Sequence, residues 1–183
     1  MNKEHQDRSD VPGERLFMDI SSTRHLSMGG KRYWLLVIDD CTDYSWSFFL
    51  KHKSNLPDKM IELIKDLKEK HNYIVKYVRC DNAGENTKFE KRSKQEGLGI
   101  TMEYTAPGMP QQNGRVEAKF ATLYGQGRAA LNRAGLPNGL HNSLWAECVP
   151  TMTNLKNSTI TKEGELPNNK NLYGEYFKWI QNL

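Results

Sequence analysis

The stretch Ile74 to Asp81, Ile-Val-Lys-Tyr-Val-Arg-Cys-Asp, decides the fold. It is short, branched and aromatic, and it reads as a strand delivering a carboxylate at its C-terminal end. Three strands precede it. Leu16 to Ile20 is the first, its apolar run interrupted by Asp19. Tyr33 to Ile38 is the second and Tyr44 to Leu50 the third. Gly29-Gly30 forms one tight turn, and Asp39, Asp40 and Asp43 form another, so these three make an antiparallel meander. Pro57 to His71 breaks the pattern. Met60, Ile61, Leu63, Ile64 and Leu67 recur at helical spacing, Pro57 suits a first turn and Asn55 a cap. A helix between strands permits a parallel return, so Ile74 to Cys80 can lie beside the first strand.

Downstream the chain alternates again. Asn82 to Glu85 turns, Phe89 to Gln95 is a short helix stopped by Gly97 and Gly99, and Ile100 to Tyr104 is a fifth strand. A loop with Pro107, Gly108 and Pro110 leads through Gln111, Gln112 and Asn113 into a helix predicted over Gln112 to Ala134. Its buried face is Val116, Phe120, Leu123, Tyr124 and Leu131. A third long helix spans Leu136 to Asn157, with Pro150 expected to kink or break it. The prediction is an α/β fold: a five-stranded mixed sheet, antiparallel meander plus parallel strands, flanked by helices. Residues 1–11 are expected as a disordered tail, 12–157 as the core, and 158–183 as an irregular, truncated extension ending in Tyr173, Tyr176, Phe177 and Trp179.

Composition excludes several classes. Of 183 residues, 37% are hydrophobic and 26% charged, and no apolar run reaches a membrane span of roughly 20 residues. Three scattered cysteines, Cys41, Cys80 and Cys148, form no paired zinc or disulfide motif, which fits a reducing compartment. The net charge of +4 permits a nucleic-acid partner without demanding one.

Three carboxylates stand out. Asp19 interrupts an apolar strand, where charge is unfavourable unless paired or metal-bound. Asp81 ends the fourth strand. Glu117 lies in the first turns of a helix whose free N–H groups attract anions. If the first and fourth strands pair in parallel, Asp19 and Asp81 sit side by side. A divalent cation then removes their repulsion. Oxygen ligands without His or Cys favour Mg²⁺ or Mn²⁺ over zinc. Two such ions, about 3.5–4 Å apart, can clamp the attacking and leaving oxygens of a phosphoryl displacement. Asp39 and Asp40 are alternative ligands, but their turn position suits capping or solvation. Glu85 reads either as a supporting group near the ligands or as a solvated residue of a loop or helix start.

Phe-Met-Asp-Ile at Phe17 to Ile20, Tyr33 to Asp40, Arg-Cys-Asp-Asn-Ala-Gly-Glu at Arg79 to Glu85, Pro-Gln-Gln-Asn-Gly-Arg-Val-Glu at Pro110 to Glu117 and Leu-Trp-Ala-Glu at Leu144 to Glu147 carry a resemblance. Together they resemble the integrase catalytic core of copia-type LTR retrotransposons, similar to retroviral integrases and RNase H-like in fold. The 35 residues between Asp81 and Glu117 match that family's spacing. The resemblance implies a metal-dependent polynucleotidyl transferase that nicks element ends and joins them to target DNA. Asp19, Asp81 and Glu117 would be its catalytic and metal-holding residues, with two Mg²⁺ or Mn²⁺ ions in the active complex. It implies double-stranded DNA as partner, a homodimer or higher oligomer, and residence in cytoplasm and nucleus. Gln111, Gln112, Asn113, Lys119 and Arg128 are candidate DNA contacts. The chain departs from the family at Ala118 and Ala121, where related elements place basic residues, and at Pro150. A decayed binding module is therefore the alternative, and an RNase H-type nuclease a third reading.

Overall fold

The computed structural model describes residues 8–105 and 114–159. Its elements are β1 (Arg15–Ser22), β2 (Tyr33–Asp39), β3 (Ser45–Leu50), α1 (Leu56–His71), β4 (Tyr77–Cys80), α2 (Gly84–Gln95), β5 (Thr101–Tyr104), α3 (Gly114–Arg133), α4 (Asn138–Ser143) and α5 (Trp145–Asn157). The sheet order is β3-β2-β1-β4-β5. β1, β2 and β3 pair antiparallel, and β1–β4 and β4–β5 pair parallel, as the sequence predicts.

Strand periodicity sorts the core into two layers. Leu16, Met18, Leu35, Val37, Val78 and Cys80 face α1 and α2, meeting Met60, Ile64, Leu67 and Phe89. Phe17, Trp34, Leu36 and Ile38 face the other way, against Val116 and Leu123 of α3 and Trp145 and Val149 of α5. Edge strand β3 is tied to α5 by polar groups. Asn157 accepts from the Ser45 N–H at 3.0 Å and donates to the Ser45 carbonyl at 2.8 Å. The Thr153 and Ser47 hydroxyls meet at 2.8 Å.

Several boundaries differ from expectation, each for a local reason. β4 pairs only from Tyr77, because the N–H groups of Lys76 and Tyr77 both bond the Glu14 carbonyl first. α2 starts at Gly84, not Phe89, because the Ala83 carbonyl accepts from Asn86 and Thr87 and closes a turn early. Asn55 does not cap α1 with its side chain; it accepts from the His52 N–H at 3.2 Å and closes a 3₁₀ turn over Lys53–Asn55. The third long helix divides at Leu144, not at Pro150. The Leu144 carbonyl accepts from Glu147 and Cys148 and restarts the helix, and Pro150 lies inside α5. Tyr124, expected in the core, is 43% exposed.

The chain entering β1 is locked to the end of β2. Gly13 has φ +75°, and its N–H donates to Asp39 Oδ1 at 2.8 Å. A Cβ at this position would stand 2.8 Å from the Tyr73 Cβ. Gly13→Ala is therefore expected to lose about 1–3 kcal/mol of stability, read as a lower urea midpoint. An unchanged midpoint would show that this lock contributes nothing.

Candidate active site

β1 and β4 pair with a constant offset, Arg15 with Tyr77, Leu16 with Val78 and Phe17 with Arg79. Continued two residues beyond the last paired residues, the same offset would bring Asp19 opposite Asp81, which follows the end of β4. Alternation settles the face. Phe17 lies in the layer beneath α3, so Asp19 projects to that side, as does Asp81 two residues after Arg79. Glu117 enters from α3 on the same side.

Burial is the largest influence on Asp19 and pushes its pKa up. The backbone N–H of Ile20, donating to Oδ1 at 2.7 Å, opposes this. The charges of Asp81 and Glu117 push it up further, and Lys53 pulls it down. The three carboxylates thus share one electrostatic neighbourhood. Asp81 is exposed, and its Oδ1 accepts from the Ala83 N–H at 3.2 Å and Asn86 Nδ2 at 2.7 Å. Lys53 and Glu85 pair at 3.0 Å beside them. Neither Asn86 nor Lys53 is singled out by sequence; both serve α2's first turn, hidden by its polar Gly-Glu-Asn-Thr sequence.

Glu117 is exposed, but its neighbours are anchored. Val116 is fully buried. Arg115 donates to the Asp40 carbonyl at 3.2 Å and to Asp43 Oδ1 at 3.0 Å, and lies over the Phe17 ring. Lys119 donates to Asp43 Oδ2 at 2.8 Å and to its carbonyl at 3.1 Å. Expected as a DNA contact, Lys119 is instead 8% exposed with its ammonium committed to this pair. The signal was present: Lys119 lies three residues after Val116 and four before Leu123, on the buried stripe.

Asp39 and Asp40 are likewise committed, which removes them as alternative ligands. Asp39 is buried and accepts from Gly13 and from both the N–H and the hydroxyl of Thr42. It caps the turn, but it is not solvated, and burial raises its pKa. Asp40 receives Arg15, Arg115 and the Ser9 N–H. Cys80, next to Asp81, is buried with its thiol pushed up to about 12, so it offers no thiolate.

Among the described residues, no three His, Cys, Asp or Glu side chains are gathered closely enough to hold a metal ion as they stand. The donor set of two aspartates and a glutamate still fits a hard divalent cation by type. The sheet fixes the two aspartates, whereas Glu117 comes from a separate element.

Beyond the carboxylates, two cavities of about 410 and 370 Å³ adjoin at Thr23, Arg24 and Tyr124. Arg128, His25 and His141 line the larger one, and no acidic residue is among the described residues lining either. Arg128 is thus exposed beside a basic groove on α3. Gln111, Gln112 and Asn113 lie outside the described residues. No helix among the described residues is long and apolar enough to cross a membrane.

The Asp43 clamp has a pH signature. Burial works against its charge, but Lys119 and Arg115 outweigh burial and its pKa ends below the ordinary 3.8. A depressed carboxylate stabilises the fold fully above its unfolded pKa and loses that contribution as pH falls through the folded value. The stability difference between the parent and Asp43→Asn, from urea melts, is expected to be constant from neutral pH to about pH 5 and to shrink below 3.8. A gap that widens on acidification would contradict the clamp.

The sequence is 34% identical over 131 residues to the retrovirus-related Pol polyprotein from transposon TNT 1-94 of Nicotiana tabacum, matching 72% of this chain and 10% of that protein. It is 28% identical over 130 residues to the corresponding polyprotein of transposon RE2, and over 129 residues to that of RE1, both of Arabidopsis thaliana. Each match takes in 70% of this chain and 9% of the relative. The chain thus spans about a tenth of the length of these curated relatives. No family model matches it. The fold is shared with a chain of the simian T-cell lymphotropic virus intasome in complex with PP2A regulatory subunit B56 gamma. The TM-score is 0.70 at 14% identity, over 96% of this chain and 60% of that one. It is shared also with the HTLV-2 integrase catalytic core domain in complex with magnesium, in trimeric form, at a TM-score of 0.63 and 11% identity, over 88% and 98%.

Proposed function

We propose that this chain, homologous to a segment of retrotransposon Pol polyproteins and similar in structure to retroviral integrase catalytic cores, is itself a metal-dependent polynucleotidyl transferase. Its substrates are the ends of the element's DNA and a target duplex. The observation that supports this reading is the parallel register of β1 on β4, whose continuation would bring Asp19 opposite Asp81. Asp19, Asp81 and Glu117 would hold Mg²⁺ or Mn²⁺, the class of ion that the HTLV-2 core was solved with. When bound, the cations supply Lewis acidity and charge neutralisation at the phosphorus.

The chain's own residues do the rest by positioning. Arg24 and Arg128 suit phosphate binding, and the half-exposed Tyr124 ring suits stacking on a base. Cys80, buried with its thiol pushed up to about 12, offers no thiolate beside Asp81, which suits direct attack by water or a DNA 3′-hydroxyl. Assembly with further copies of the chain, and work in cytoplasm and nucleus, belong to the same proposal.

A binding module without chemistry is the second reading. It is favoured by Lys119 being spent inside the fold and by Ala118 and Ala121 on the exposed side of α3. Calorimetry separates the two. The parent is expected to take up Mn²⁺, and Asp81→Asn to take up none and to give no strand transfer on a duplex matching the element's ends. A parent that takes up neither Mg²⁺ nor Mn²⁺ establishes the second reading.

The groove has its own test. Arg128→Ala is expected to weaken duplex binding evenly across sequences and to reduce the slope of log K against log salt by roughly 1. An unchanged slope removes Arg128 from the DNA interface.

A further inference from the structure

We infer that Asn86 is a positioning residue that sets which oxygen of Asp81 is presented to the cation. The inference rests on the proposed cation site and adds to it a residue that neither the triad nor its spacing indicates.

Asn86 lies in the first turn of α2 and is 3% exposed. Its Nδ2 donates to the Asp81 carbonyl at 3.0 Å and to Asp81 Oδ1 at 2.7 Å. Both partners can only accept, so the amide nitrogen must face Asp81. The Ala83 N–H donates to the same Oδ1 at 3.2 Å. Among the described residues, Oδ1 thus receives two donors and Oδ2 none. A carboxylate at the tip of a strand would otherwise turn freely about its side-chain bonds. Here one oxygen is held from the α2 side and the other is left for a ligand.

The other end of the amide shows what the residue is for. Asn86 Oδ1 is buried and has no hydrogen-bond partner among the described residues. Burying an amide oxygen unpaired is unfavourable. Both hydrogen bonds that the amide makes among the described residues go to Asp81. The turn is braced as well, since Glu85, the residue before, is paired with Lys53 at 3.0 Å. Outer residues that orient a ligand in this way commonly change metal affinity 10–100-fold when removed, without touching the metal.

The test compares the parent, Asn86→Leu and Asp81→Asn by Mn²⁺ titration calorimetry, with thermal melts run alongside. Asn86→Leu is expected to melt near the parent and to bind Mn²⁺ roughly 10–100-fold more weakly, while Asp81→Asn binds none. Asn86→Ser, too short to reach Oδ1, is the second variant should leucine fold poorly, and the same weakening is expected. Parent-like Mn²⁺ affinity in either folded variant overturns the role of Asn86 and leaves the cation site standing. A parent that binds no Mn²⁺ overturns the cation site, and this inference falls with it.

Discussion

The parallel pairing of β1 with β4 is the constraint on which the rest depends. The pairing is possible because α1 carries the chain back across the sheet, and its register is held by apolar burial. Leu16, Met18 and Val78 are all 0% exposed on the α1 side. Burying side chains of this kind contributes roughly 1.5–3 kcal/mol each. Sliding β4 by one residue would turn Val78 and Cys80 to the opposite face. The same packing buries Asp19, and that burial, with a smaller push from the charges of Asp81 and Glu117, raises its pKa. The buried apolar side chains, not the carboxylates, hold this register.

A second set of acids does different work. Asp39, Asp40 and Asp43 cluster at the β2–β3 turn, and each is spent on structure. Asp39 closes the turn and holds Gly13, while Asp40 and Asp43 receive Arg115 and Lys119. Asp43 even adopts φ 64°, a conformation aspartate tolerates better than most side chains. This clamp fixes the start of α3 against the sheet, and Glu117 lies between the clamped residues. The chemistry proposed for Asp19, Asp81 and Glu117 therefore depends on acids that take no part in it.

The sequence carried the sheet well, because strand signals here are strong and connections short. The parallel pairing of β1 with β4 followed from one topological inference, that a helix between β3 and β4 allows a parallel return. What it did not carry were features whose cause lies in tertiary contact. Lys119 reads as an exposed base until helical spacing is set against the buried stripe of α3. The early start of α2 is invisible because its first turn is Gly-Glu-Asn-Thr, poor in helix formers and without an apolar residue. With that turn hidden, the Lys53–Glu85 pair and Asn86 were hidden too. Pro150 drew attention as a helix breaker, yet the break came at Leu144, where a free carbonyl captured two N–H groups.

The distribution of charge along α3 relates Glu117 to the groove. Glu117 stands in the first turn, where the helix dipole favours a negative group, and Arg128 follows eleven residues later. At 1.5 Å per residue this separates them by about 16 Å along the axis. Successive phosphates of one B-form strand advance about 3.4 Å along the duplex. A strand lying parallel to α3 would then carry roughly five phosphates between the carboxylates and the Arg128 guanidinium. On the proposed reading, a basic groove at that distance would not reach the phosphate at the carboxylates, and that charge would fall to the cations. On the same reading the groove would hold the strand while the reacting bond lay over Asp19 and Asp81. With Lys119 turned inward and Ala118 and Ala121 offering no charge, the exposed positive charge of α3 is displaced along the helix, away from the acids. Such a division keeps Arg128 from competing with a divalent cation for the same carboxylates, which a base immediately beside Glu117 would do.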